Sequence, residues 1–247
     1  MNLRGKIAII TGSTGRLGST ITKALAQAGC HCICHYHQNE RAGQELAEYI
    51  RTFAVKARLV KADLTCPKGI ESLFDKAQKL GIPDILINSA ATFSRHRLSD
   101  VTFDQAREIF DLNLTAPIMA SRAFAGIINQ RFPDVTAPVA KIINIADVGA
   151  LKPWAGYVTY CASKAGLIGA TKALAKELAP AVCVNSVAPG VVRWPSGFDD
   201  ADKHRQLSFV PLRRIAQPKE VTDAIIFLLK NDYITGQILC IDGGRSI

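Results

Sequence analysis

A chain of 247 residues is long enough to bury a sizeable core as one α/β domain. Its formal charge is +9, but the 30 lysines and arginines are scattered, with no run longer than Arg213-Arg214. That distribution argues against a dedicated nucleic-acid surface and suits anionic small ligands. No apolar stretch reaches the roughly 18 residues that a membrane span needs, and an apolar strand pattern begins at once with Lys6-Ile7-Ala8-Ile9-Ile10. The chain is expected to be soluble and cytoplasmic, with neither nucleic acid nor membrane as partner.

Apolar, β-rich runs near 6–11, 31–36, 57–61, 84–88, 140–145, 182–187 and 238–241 alternate with helical periodicity near 17–28, 40–53, 68–80, 102–131, 157–178 and 218–230. Such alternation implies β-α-β crossovers, hence a doubly wound, Rossmann-type parallel sheet of about seven strands with helices on both faces. The whole of 1–247 is expected to be a single domain. The one long irregular stretch, 191–210, is a candidate substrate lid. Seven cysteines without a C-x-x-C pair suggest reduced thiols. Cys30, Cys32 and Cys34 alternate, opposite His31, His35 and His37, and are read as apolar strand residues with no metal bound.

The first functional signal in chain order is Thr11-Gly12-Ser13-Thr14-Gly15-Arg16-Leu17-Gly18, after strand one and opening helix one. There a Gly-rich turn brings backbone N–H groups and a helix N-terminus to a pyrophosphate, so Gly12, Ser13, Thr14, Arg16, Leu17 and Gly18 are candidate cofactor residues. Strand two ends in His35-Tyr36-His37-Gln38-Asn39 without the acidic residue that would receive the ribose 2′-hydroxyl of NAD. Hydrogen-bond donors and two imidazoles able to gain charge favour the 2′-phosphate of NADP. Asp63 and Leu64 end strand three, where a carboxylate can meet an adenine edge. Asn88-Ser89-Ala90 end strand four, where small residues admit a ribose. Asn113 lies within an apolar helical run, where an amide must find partners or mark a kink.

At the start of the helix near 157–178, Tyr160 and Lys164 stand four residues apart on one face. A cation there would lower the phenol's pKa and let Tyr160 exchange protons with a substrate. For an isolated pair, the competing reading is a packed tyrosine and a solvated lysine.

Taken together, these residues resemble the short-chain dehydrogenase/reductase family over essentially the whole chain. The motifs that carry the resemblance are the T-G-x-x-x-x-x-G cradle, Asn88-Ser89-Ala90, Asn113, Tyr160/Lys164, Pro189-Gly190 and Asp242-Gly243-Gly244. The resemblance implies hydride transfer from a nicotinamide with Tyr160 as acid/base. Lys164 would hold the ribose, Asn113 would place a relay water, and Pro189, Gly190 and Val191 would flank the cofactor. It also implies a homotetramer through the helices at 102–131 and 157–178.

The family's usual catalytic serine is here Asp147, and a usual cradle glycine is Arg16. With His35-Tyr36-His37, these substitutions resemble the pteridine reductase branch and the related dihydromonapterin and dihydrofolate reductases. In that branch Phe93 matches a pterin-stacking phenylalanine, so Arg16, Phe93, Asp147 and Tyr160 are expected at a pterin or folate substrate. Ala91 and Gln38 depart from the branch. Asp147 and Tyr160 would deliver a proton to a ring nitrogen, whereas a competing reading makes Asp147 a loop cap. Alternatives for the whole chain are a 3-oxoacyl thioester or sugar reductase, and a non-catalytic dinucleotide-sensing or RNA-binding protein.

Overall fold

The structure is a computed structural model that describes residues 1–194, 197 and 199–247. Its strands are β1 (Ile7–Ile10), β2 (His31–Tyr36), β3 (Ala57–Lys61), β4 (Ile85–Asn88), β5 (Ala140–Ile145), β6 (Val182–Pro189) and β7 (Ile238–Ile241). The helices are α1 (Arg16–Gln27), α2 (Glu40–Arg51), α3 (Pro67–Gln78), α4 (Phe103–Phe110), α5 (Ala116–Arg131), α6 (Val158–Glu177), α7 (Asp200–Ser208) and α8 (Pro218–Lys230). All strand pairs are parallel and the order is β3-β2-β1-β4-β5-β6-β7, the doubly wound sheet expected from the alternation. The order reverses between β1 and β4, which opens a crevice beyond their carboxyl ends.

Successive strand residues point to opposite faces, so each buried strand feeds two cores. Ala8 and Ile10 of β1 join Ile21 and Leu25 of α1, Leu46 and Ile50 of α2, and Ile225 of α8. Ile7 and Ile9 join Leu73 and Phe74 of α3 and Phe124 and Ile128 of α5. Cys30, Cys32 and Cys34 pack into the first of these cores as fully buried thiols. Burial pushes the Cys30 thiol up to about 12, far from the range of a reactive thiolate.

Two local departures matter for the site. The helix expected over 102–131 is broken by a π-helical turn at Asp111–Thr115. A single widened turn leaves the apolar pattern almost intact, so periodicity does not reveal it. In the expected lid, α7 forms where no apolar stripe announced a helix. It has no buried residue, and its start is set by Asp199, whose carboxylate accepts from Asp202 N at 2.7 Å. Positions 195, 196 and 198 of the expected lid lie outside the described residues.

Strands buried on both faces must satisfy any polar side chain internally. Asn88 Nδ2 donates to Asn144 Oδ1 at 2.8 Å, and Asn144 Nδ2 donates to Thr171 Oγ1 of α6 at 2.9 Å. Asn88 is thus a brace between β4 and β5 that leads on to α6. Replacing Asn144 by alanine leaves both neighbours short of a partner and is expected to cost about 1–3 kcal/mol in urea unfolding. Dinucleotide affinity should stay near wild type, because the brace lies inside the sheet; a loss below about 0.5 kcal/mol would show the network to be dispensable.

Candidate active site

The turn between β1 and α1 is pressed against the end of β4. Gly12 has φ of +63°, and a Cβ there would come 2.8 Å from Ala90 Cα, while a Cβ on Gly18 would overlap Gly12 O. Only glycine permits both approaches. Thr11 Oγ1 accepts from Ser89 N and Ala90 N at 3.0 and 3.1 Å, fixing the two loops to each other. Helix α1 then begins at Gly15 with no side-chain cap and no acid in its first turn. Its first amides and dipole are left facing outward, a setting that suits a phosphate.

Beyond the strand ends run two adjoining cavities of about 570 and 630 Å³, which share Gly12, Gly15, Ser89 and Ala91. Thr14, His37, Gln38, Asn39, Asp63 and Leu64 line the first, together with Ala90. The second is lined by Arg16, Leu17, Gly18, Phe93, Asp147, Tyr160, Lys164, Pro189, Gly190 and Val191. One long groove therefore joins most of the residues expected at the cofactor to those expected at the substrate. Its length, glycine cradle and uncapped helix start fit a dinucleotide.

Several residues expected at the cofactor also support the loops, and two of them, His35 and Asn39, line the first cavity as well. His35 is 3% exposed and bridges loops: Gly12 N donates to its Nδ1 at 3.0 Å, and its Nε2 lies 3.0 Å from Ala62 O. Burial holds this imidazole down at about 4, despite the bond to Ala62 that favours the cation. His35 is therefore neutral near pH 7 and is not a charge for a 2′-phosphate, which leaves His37, Gln38 and Asn39 at that end. Tyr36 is buried, and Ser13 is occupied by His35 O, to which both its N and Oγ donate. Asn88 points into the sheet, so of Asn88-Ser89-Ala90 only Ser89 and Ala90 reach the groove. Asn39 caps α2 by accepting from Ala42 N at 3.1 Å.

At the other end, the Tyr160 hydroxyl donates to Asp147 Oδ2 at 2.9 Å, while Gly149 N donates to Asp147 Oδ1 at 2.7 Å. The carboxylate thus caps its own turn and holds the phenol, combining two roles that the sequence left as alternatives. Burial raises the Asp147 carboxyl above its usual value, and the bonds from Gly149 and Tyr160 oppose that rise. Tyr160 is pushed well above the ordinary phenol value by burial and by the Asp147 charge. The lowering expected from Lys164 does not offset this rise: Lys164 Nζ donates to Ile145 O at 2.8 Å and lies 6.0 Å from the Tyr160 ring centre. Burial also brings Lys164 itself down to about 8. With its pKa raised, the Tyr160 hydroxyl stays protonated and donates its hydrogen bond to Asp147.

Asn113 is fully buried at the π-helical turn. Its Oδ1 accepts from Thr92 N at 2.8 Å, and its Nδ2 donates to Thr92 O and Ser163 Oγ at 2.9 and 3.3 Å. The side chain clamps the loop after β4 to α6. Phe93 is 48% exposed, stacks on Tyr157 at 4.9 Å and meets the Tyr160 ring edge-on at 4.8 Å. It forms an aromatic wall beside the proton donor. Residues not anticipated from the sequence also line this end, notably Trp154 and Arg193. The Trp154 Nε1–H is buried without a hydrogen-bond partner among the described residues. The only sequence signal for this wall was the aromatic pair Trp154 and Tyr157 just before Tyr160.

Comparison with known proteins agrees with this geometry. Residues 13–246 match the family described as enoyl-(acyl carrier protein) reductase. The 3-oxoacyl-(acyl-carrier-protein) reductase of Aquifex aeolicus is 33% identical over 99% of this chain and 98% of its own. Among solved structures, a variant of a Serratia marcescens short-chain dehydrogenase/reductase superposes with a TM-score of 0.91 at 26% identity, over 100% of both chains. A blue fluorescent protein from a metagenomic library, solved in complex with NADPH, superposes with a TM-score of 0.89 at 27% identity, again over 100% of both. The chain belongs to the short-chain dehydrogenase/reductase family and is an oxidoreductase of that family.

The buried neutral His35 makes stability depend on pH. Its folded pKa of about 4 lies below the unfolded 6.5, so the unfolded chain binds more protons between those values and stability rises with pH across the window. The contribution is complete above about pH 6.5 and lost as pH falls toward 4, on the order of 3 kcal/mol in all. In denaturant titrations His35→Gln should flatten this slope; an equal slope in the variant would place the titration elsewhere.

Proposed function

We propose that the protein is an NADPH-dependent reductase of pterins, taking a dihydropterin, dihydromonapterin or dihydrofolate to its tetrahydro form. The observation that carries this reading is the 2.9 Å bond from Tyr160 to Asp147 at the wall of the groove. Reducing a ketone calls for a donor to a developing alkoxide, whereas reducing a ring C=N calls for a proton delivered to nitrogen. A buried carboxyl raised toward protonation and bonded to a phenol suits the second task. When bound, the nicotinamide supplies the hydride. Phe93 offers a flat heterocycle an aromatic wall, and Arg16 lines the same cavity with a positive charge.

The choice of NADPH rests on the lack of an acid at the end of β2, where Gln38 and Asn39 line the groove, and on the NADPH-bound structural relative. Lys164 would meet the nicotinamide ribose, a reading supported by its bond to Ile145 O and its place in the lining of the same cavity. We also propose the homotetramer implied by the resemblance. Phe103 at 91% and Met119 at 38% exposure, on α4 and α5, would be covered by such contacts.

A second reading, reduction of 3-oxoacyl thioesters, is favoured by the comparisons, in which the Aquifex aeolicus relative carries that activity in its name. There Tyr160 alone would donate, and Asp147 would serve as the cap bonded to Gly149. A panel of dihydrobiopterin, dihydromonapterin, dihydrofolate and acetoacetyl thioester, followed by NADPH absorbance, separates the two. Turnover of the thioester with none of the pterins selects the second.

Asp147→Ser should lower kcat for dihydropterin by roughly 10²-fold, the contribution of a positioned acid, with a smaller change in KM. Full turnover in the variant, with an unchanged pH profile, would remove the basis for the pterin assignment. For the cofactor, Gln38→Asp should reverse or erase the preference for NADPH over NADH in kcat/KM, because the new carboxylate repels the 2′-phosphate. Equal wild-type values for the two cofactors would count against the NADPH reading.

A further inference from the structure

Arg245 has no part in the mechanism above, yet it is 7% exposed and lies behind the wall of the substrate end. A guanidinium cannot shed its proton to ease burial, so it must be solvated by the protein. Its hydrogen-bond partners among the described residues are neutral: Nη2 donates to Gln206 Oε1 at 2.8 Å, and Nη1 donates to Gln206 O at 3.5 Å. Its charge lies over two rings, 5.5 Å from the centre of Trp154 and 5.9 Å from that of Phe209. Gln206 belongs to α7, and Phe209 is the residue that ends it.

On its other side, Trp154 packs on the turn that holds Asp147. A Cβ placed on Gly149 would lie 3.1 Å both from Asp147 Oδ1 and from the Trp154 ring. Acid, turn, indole, guanidinium and α7 are therefore stacked in one contiguous series. The groups bearing on Asp147 are Tyr160, Lys164 and Cys161 from α6 and Arg245 from the C-terminal segment; Arg16 and Arg193 line the cavity more openly. Asp242, beside Arg245, already accepts from Gly244 N and Ser246 N. Burial brings Lys164 down to about 8, so its charge is lost as pH rises through that value, whereas an arginine keeps its own.

We propose that Arg245 is a positioning residue for the Asp147–Tyr160 pair: clamped by Gln206, Phe209 and Trp154, it supplies fixed positive charge behind the acid and ties the seating of α7 to it. The idea rests on the reading of Asp147 and Tyr160 as the proton-donating pair, but its test needs no substrate. In protein carrying ¹³C-labelled aspartate, the Asp147 carboxyl is assigned by its loss in Asp147→Asn and titrated in wild type, Arg245→Gln, Arg245→Lys and Gln206→Ala. Removing a nearby positive charge disfavours the carboxylate, so Arg245→Gln should raise the Asp147 titration by roughly 0.5–1.5 pH units. Arg245→Lys should restore most of that shift.

Gln206→Ala keeps the charge but frees it from α7, and should move the same titration upward by a smaller amount. With whichever panel substrate the wild type reduces, it should also raise KM several-fold more than it changes kcat. An Asp147 titration unmoved in Arg245→Gln, with only thermal stability lost, makes Arg245 a packing residue and overturns the proposal. Should Arg245→Gln fail to fold, Gln206→Ala decides: an unchanged titration and unchanged KM overturn it equally. A wild type inactive on every pterin refutes the pterin reading while leaving the titration result standing.

Discussion

Covering both faces of a parallel sheet leaves chemistry only one place to go. Each strand from β1 to β6 is packed between helical layers, so polar work must be done beyond the strand ends, where backbone groups run out of partners. The reversal between β1 and β4 turns that necessity into a groove. Its walls are strand termini: Gly12 after β1, Gln38 after β2, Asp63 after β3, Ser89 after β4, Asp147 after β5 and Gly190 after β6. The approach of Gly12 to Ala90 and the bonds from Ser89 and Ala90 to Thr11 keep the two halves in register. His35, neutral and bonded to both neighbouring loops, does the same one strand further out.

Charge at the substrate end obeys a second constraint. A buried carboxylate, a buried phenol and a buried ammonium cannot each keep the protonation they show in water. Burial raises Asp147 and Tyr160 and lowers Lys164, so each is pushed toward its neutral form. This arrangement suits proton donation during reduction better than phenolate chemistry. The ammonium of Lys164, one turn from the tyrosine, is held by Ile145 O and lines the groove.

The π-helical turn at Asp111–Thr115 shows how a structural amide serves a site without touching it. Asn113 ties Thr92 and Ser163 together, which holds the loop bearing Phe93 against α6, the helix bearing Tyr160 and Lys164. The aromatic wall of Phe93, Tyr157 and Trp154 is then set by packing between two segments, the loop after β4 and the turn that leads into α6.

Much of this protein was legible before any coordinates. Alternating periodicities determined the seven strands and their crossovers, because side-chain burial repeats every two residues in a strand and every 3.6 in a helix. The glycine spacing after β1 and the Tyr160/Lys164 spacing marked the groove, because local geometry alone dictates which residues fit a tight turn or share a helix face. Only the tertiary structure decided what depends on partners distant in sequence. It made His35 a bridge between loops as well as part of the groove wall, turned Asn88 into the sheet, joined Asp147 to both Gly149 and Tyr160, and buried Arg245 behind Trp154. It also formed α7 from a polar segment with no apolar stripe. Protonation, burial and hydrogen-bond satisfaction are properties of an environment assembled from the whole chain, so no window of sequence contains them.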